Sequence, residues 1–295
     1  MAFSFKRKLP VITANPGFSG IAARVLKRRD MSIALGVLLI IIVLAILAPF
    51  ITPYDPNKID LANKNLGPMA SHWLGTDYLG RDMLSRILMG AHTSLFIASC
   101  VVGLSLTFGI FVGCISGYYG GLVDDVVSRV IDVFMSFPGI IFALAMLGAL
   151  GPSITNMIIS LAMVQWSTYA RLMRGQVLAI KKNEYVQSSL LIGSSDAHVI
   201  GRHIIPNSIA PIIALATLDM GNVILSIAAL SFLGIGLPAD VPEWGAILSS
   251  GKEFMRVAPF ITIVPGLAIT VVVVIFSVLG DGLRSILDPH GGDIY

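Results

Sequence analysis

Charge is what this sequence is shortest of. Asp, Glu, Lys and Arg make up 13% of its 295 residues, against about 25% in a soluble domain. Hydrophobic residues make up 55% and the mean hydropathy is +0.85, so the chain reads as an integral membrane protein. Cysteine is nearly missing. Cys100 and Cys114 are the only two. On one predicted helix they lie about 21 Å apart, too far to bond within the chain, and a disulfide framework is excluded. No G-x-x-x-x-G-K-S/T string occurs, so ATP binding through a P-loop is not expected. H-E-x-x-H, C-x-x-C and G-x-S-x-G are also missing. The five histidines, His72, His92, His198, His203 and His290, are scattered, and no two are three or four residues apart, the spacing of a helical ligand pair. The chain is therefore expected to carry no catalytic residues, no metal site and no cofactor, and not to be an enzyme.

What remains is a series of apolar runs. Met31 to Ile51 has 21 residues without a charge, about 31 Å as a helix, enough to cross a bilayer. No small-residue cleavage site follows it, so it reads as a retained first span. Residues 1–30 form a basic cytoplasmic segment, with Lys6, Arg7, Lys8, Arg24, Lys27, Arg28 and Arg29 against Asp30. Beside a span, such a segment sets topology rather than binding nucleic acid. Residues 52–94 read as an extracytoplasmic loop that turns helical from Asp82. Within it Asp77, Arg81, Asp82 and Arg86 read as neutralising pairs at a loop-to-helix junction, with a ligand cluster as the alternative. Leu95 to Tyr118 is the second span. Val123 to Phe137 is an amphipathic link. From Val133 to Ala170 no charge occurs; Gly151-Pro152-Ser153 divides this run into a third span ending near Leu150 and a fourth from about Ile154 to Tyr169. Ile209 to Leu230 is the fifth span and Val257 to Gly280 the sixth. The expected fold is thus all-α with six transmembrane helices: the first span, a five-helix core over 95–284, and a cytoplasmic tail at 285–295.

Six spans put both termini on one side. On that side fall seven basic residues in 1–30, five in the loop 171–208, Arg129 and Arg284; on the other fall Lys58, Lys64, Arg81, Arg86, Lys252 and Arg256. The bias makes the first side cytoplasmic.

Two features inside the spans stand out. Gly109, Gly113, Gly117 and Gly121 recur every fourth residue, with Ser105 in phase. This makes a smooth strip where another helix approaches closely, in this subunit or a partner. Asp219 is the only charge deep in a span, either a pathway acid or a structural acid hydrogen-bonded to a neighbouring helix.

The longest polar interruption of the second half runs from Lys181 to Asn207. Its pattern gives a helix over about 183–192, a break at Gly193, and a second helix starting at Ser194 or Ser195. Glycine takes the left-handed backbone that ends a helix, and the serines and Asp196 cap the next. Pro206 is expected to limit that second helix.

This loop resembles the cytoplasmic "EAA" loop of ABC-importer permeases, whose pattern is Glu-Ala-Ala, three residues, Gly, nine residues, then Ile-x-Leu-Pro. Here Gln187, Ser188 and Ser189 stand for the first three, Gly193 for the glycine, and His203, Ile205 and Pro206 for the end. The glutamate has become glutamine, so an ion pair made by it is not carried over. The strings HWLGTDYLGRDMLSRILMGAHTSL (72–95), TLDMG (217–221), LSFLGIGL (230–237), PEWGA (242–246) and GDGLRSILDPH (280–290) are similar to the C-type subunits of peptide and nickel permeases. The resemblance spans about 31–290.

It implies a type I importer fold with the loop seated in a cleft of an ATPase subunit, through Glu184, Gln187, Ser188, Ser189, Gly193, Ser194, Asp196 and Pro206. It further implies a second homologous permease, two ABC ATPase subunits, an extracytoplasmic substrate-binding protein and surrounding membrane lipid as partners, in a bacterial or archaeal cytoplasmic membrane. The cargo would be di- or oligopeptides, or alternatively nickel or another metal chelate. A proton-coupled secondary carrier using Asp219 is the rival reading, and no inverted repeats support it.

Overall fold

The computed structural model describes residues 25–287, and the regular elements of the described part are helices. Helix α1 is Arg29–Ile51, uniformly apolar, as a span in lipid must be. Residues 52–82 follow as an irregular but heavily hydrogen-bonded segment. Helix α2, Met83–Tyr119, starts where Asp82 accepts from the Ser85 N–H. Its 37 residues extend about 55 Å, a dozen residues further back than the apolar run alone. Gly120, at φ +68°, ends it and opens α3, Gly121–Ser136. Pro138 then caps α4, Gly139–Leu150, which leaves α3 at 85°. Helix α5 is Ile154–Ile180, capped by Ser153. The polar loop carries α6, Glu184–Leu191, and α7, Asp196–Val199. A π turn at Ile200–Ile204 joins α7 directly to α8, Ile205–Phe232. Helix α9 is Trp244–Gly251 and α10 is Phe260–Leu287.

Four helical stretches are long and apolar enough to cross a membrane: α1, α2, Asp196–Phe232 and α10. The expected third and fourth spans do not qualify singly. Helix α4 has 12 residues, about 18 Å against a hydrocarbon core of about 30 Å; it passes only together with α3 as a bent pair. Helix α5 has 27 residues, but Gln165, Arg171 and Arg174 lower its hydropathy. The chain is thus a multi-pass membrane protein with four or five candidate spans by length and composition.

The largest core cluster joins α1, α2, α8 and α10 through residues such as Ala34, Ile97, Ile227 and Phe276. A second cluster at the loop end joins Tyr118, Met173 and Val177 to Val186, Val199 and Ile204 of the polar loop. At the far end, the junction charges are buried. Arg81 Nε donates to Asp77 Oδ2 at 2.7 Å, Arg86 Nε lies 3.8 Å from the same oxygen, and both guanidiniums donate to the Ala239 carbonyl. These residues form neutralising pairs that tie segment 52–82 to the 233–243 loop. Beside them Glu243 caps α9 and also accepts from Ser94 of α2 and Ser231 of α8.

Candidate functional site

The polar loop is built from local signals. Asn183, extended, begins α6. Gly193 at φ +82° ends it, its N–H donating to the Leu190 carbonyl. The Ser194 N–H then donates to Ser189 O at 3.1 Å, and the two serine hydroxyls meet at 3.0 Å. Ser195 caps α7, its Oγ accepting from the His198 N–H. The end of this motif departs from expectation, because Pro206 does not stop the helix. Proline has no N–H to give the carbonyl four residues back, and its ring crowds that carbonyl. The chain widens by one residue just before it: the Ile205 N–H bonds Ile200 O, five residues back. A π turn of this kind is one of the few ways a helix absorbs such a conflict.

The loop is tied to the helices behind it. The Tyr118 hydroxyl, at the end of α2, donates to Asp196 Oδ1 at 2.7 Å. Lys181 Nζ donates to the Tyr118 carbonyl and sits 5.2 Å from its ring centre. Val186, Val199 and Ile204 are fully buried beneath. On the same end, Arg174 of α5 makes two hydrogen bonds to Asp124 of α3, and Arg171 pairs with Asp132. The amphipathic link and the loop therefore hang on the same stretch of α5.

Of the residues singled out from sequence, Glu184, Gln187, Ser188, Gly193, Asp196 and Pro206 are exposed, Ser194 is half-buried, and Ser189 is buried. Ser189 and Ser194 form the internal brace of the turn, and Pro206 stands apart from it at the start of α8. Gln187 Nε2 donates to the Lys181 carbonyl at 2.7 Å, a bond that a carboxylate cannot make. Sequence reasoning missed Leu191 and Ile192, 86% and 84% exposed. As apolar residues in a helical pattern they look like core. Their adjacency to the glycine break was the available signal.

The glycine strip faces α5. A Cβ on Gly109 would meet Tyr169 Cβ at 2.5 Å and the Trp166 carbonyl at 2.8 Å; on Gly113, the Ala170 carbonyl and Met173; on Gly117, Val177 Cβ at 2.8 Å. Ser105 Oγ bonds the Ala162 carbonyl on the same face. Gly121 does not belong to it. The helix has already ended at Gly120, and Gly121 at φ +55° starts α3 with nothing within 4 Å of a Cβ. Asp219 is 5% exposed; its Oδ1 accepts from Asn222 one turn on. Two groups of the expected architecture, residues 1–24 and 288–295, lie outside the described residues.

Comparison with known proteins agrees with this architecture. Residues 109–290 match the family described as binding-protein-dependent transport system inner membrane component. Residues 18–68 match the N-terminal TM domain of oligopeptide transport permease C. The chain is 41% identical over 270 residues to the dipeptide transport system permease protein DppC of Alkalihalophilus pseudofirmus, covering 91% of this chain and 88% of that one. It is 39% identical over 264 residues to the glutathione transport system permease protein GsiD of Pectobacterium atrosepticum, covering 89% and 88%. Among solved structures, it is similar in fold to the inward-facing MetNI methionine ABC transporter, with a TM-score of 0.57 and 17% identity over 69% of this chain and 97% of that one. An amino acid ABC transporter gives a TM-score of 0.53 at 16% identity, covering 67% and 92%. With its strapped-down polar loop, its four or five apolar candidate spans and these relatives, the chain belongs to the binding-protein-dependent transport system inner membrane component family, as a permease of the C type.

Proposed function

We propose that this chain is one of two permease subunits that together form the pathway of an ATP-driven importer of di- or oligopeptides. The names of its dipeptide and glutathione relatives support the peptide class; no observation of this chain favours a nickel or other metal chelate. Six crossings, by α1, α2, the bent α3–α4 pair, α5, α8 and α10, put both termini and the polar loop in the bacterial cytoplasm, in agreement with the basic-residue bias. The charged part of α3 then lies at the membrane surface, with Asp124 and Asp132 paired to Arg174 and Arg171.

In this reading the loop docks in a cleft of a separate ATPase subunit, one of two, and an extracytoplasmic binding protein delivers cargo to the opposite face. One observation carries it. Leu191 and Ile192 stand in the open at a fixed corner, between α6 and α7, on a loop otherwise rich in charge and serine. An adjacent aliphatic pair held outward on a polar loop suits a partner's apolar cleft. The exposed Glu184, Gln187 and Ser188 form the rim, Ser189, Gly193 and Ser194 shape the corner, and Asp196 anchors it. Asp219 is read as a structural acid, bonded within its own helix and enclosed; membership of a binding-protein-dependent family removes the need for a proton-coupled carrier. The test is purification of the tagged chain in mild detergent with its companions identified by mass. A second permease and P-loop ATPases are expected. A stable complex lacking them refutes the proposal.

A further inference from the structure

The π turn does more than accommodate Pro206. His198 and His203 are five residues apart. On a regular α-helix that spacing separates two side chains by about 140° around the axis. Here the widened turn at Ile200–Ile204 lies between them and brings their ring centres to 5.9 Å, at an interplanar angle of 70°. His198 is exposed and His203 half-buried. On its other side His203 meets the Tyr185 ring, again at 5.9 Å, which limits its freedom. In the wider turn, a spacing of five does what a spacing of four does in an α-helical metal-binding pair.

The geometry points to a two-histidine site for a divalent transition-metal ion of the zinc or copper class, bridging α7 and the start of α8. A Zn–N bond of about 2.0–2.1 Å puts an ion about 3.2 Å from each ring centre, so rings 5.9 Å apart lie within reach of one shared ion once each turns a nitrogen toward it. Imidazole nitrogen suits zinc, copper and nickel. Among the described residues no third His, Cys, Asp or Glu joins the pair, so water fills the other positions. A bound ion staples α7 across the π turn and stiffens the element that leads from the loop into α8. The ion binds the chain itself, so the site exists whether or not an ATPase subunit is docked.

The test uses the full chain in detergent, purified through a tag without histidine. Titration with Zn²⁺ is expected to show one site per chain whose affinity falls at least tenfold in His198→Gln and in His203→Gln alike. Equal loss in both is the signature of a shared ion. Unchanged binding in either variant overturns the pair, leaving at most one isolated surface histidine. Should a variant aggregate, Cu²⁺ electron paramagnetic resonance on the unaltered chain decides: two imidazole nitrogens on the tight site support the proposal, and one or none overturns it.

Discussion

Gly193 separates two ways in which the polar loop can fail. Its φ of +82° demands left-handed backbone, yet nothing lies within 4 Å of the place a Cβ would take. An alanine there meets no neighbour and suffers only from its own backbone, about 1–2 kcal/mol. That cost acts on the turn, not on the buried core, so the chain should insert and assemble normally. The ratio of held to released corner conformations falls by a factor of roughly 5–30. Asparagine tolerates this conformation far better and is larger than alanine. The series Gly193→Ala, Gly193→Asn and Gly193→Glu therefore distinguishes shape from bulk. In reconstituted liposomes with the partner subunits, the assay is peptide taken up per ATP hydrolysed. Alanine is expected to lower that ratio several-fold with ATP hydrolysis retained, asparagine to stay near the unaltered protein, and glutamate to uncouple most. A wild-type ratio for alanine refutes the claim that positive φ is needed. Equal loss in alanine and asparagine means that the glycine matters because something approaches it closely from outside.

Leu191→Ser with Ile192→Ser should weaken ATPase association at least tenfold, since burying each aliphatic side chain is worth about 1.5–3 kcal/mol; subunit titration by fluorescence reads it, and unchanged affinity moves the docking surface elsewhere. Gly113→Ala puts a Cβ onto the Ala170 carbonyl and Met173 and should cost about 1–3 kcal/mol by overpacking, seen as a lower midpoint of thermal unfolding in detergent. Asp77→Asn leaves Arg81 and Arg86 buried without their counter-ion and should destabilise by about 3–5 kcal/mol, by the same measurement. Gln187→Glu replaces the donor to the Lys181 carbonyl with an acceptor; as the site is exposed, a loss of about 1 kcal/mol in loop stability with transport retained is expected, and hydrogen exchange at α6 monitors it.

Much of this was legible in the sequence because the signals are local. The α6 break needs only the conformational freedom of Gly193, the α7 start only the Ser195 oxygen, and α1 only its uncharged run. The glycine strip was legible because a period of four marks one helix face. What escaped depended on three-dimensional context. Helix α3 leaves α4 at 85° through the extended Phe137 and Pro138, and no periodicity reports an angle. Gly121 kept the period of the strip but fell one residue beyond the Gly120 stop. Ser189 and the corner pair Leu191–Ile192 exchanged places relative to ordinary polarity: the serine is buried as a brace and the aliphatic residues are exposed.

That inversion indicates how a force on the loop would travel. A flexible loop yields where it is pushed. This one is held by the Tyr118–Asp196 bond, by Lys181 on the Tyr118 carbonyl, and by three fully buried residues beneath. The first two end on Tyr118 of α2, Lys181 itself follows directly on the last turn of α5, and the π turn leads into α8. Helices α2 and α5 are locked in turn along the glycine strip, where backbone meets side chain with no room for a Cβ. Pressing on Leu191 and Ile192 therefore does not bend the loop alone. It is expected to displace α2, α5 and α8 together at this end, while the Asp77–Arg81–Arg86 node and Glu243 tie the opposite ends of α2 and α8 to the 233–243 loop. A rigid lever pinned at its far end turns rather than slides. The compliant point left in this path is the π turn itself, the one place where the helical ladder between loop and span changes its hydrogen-bond register.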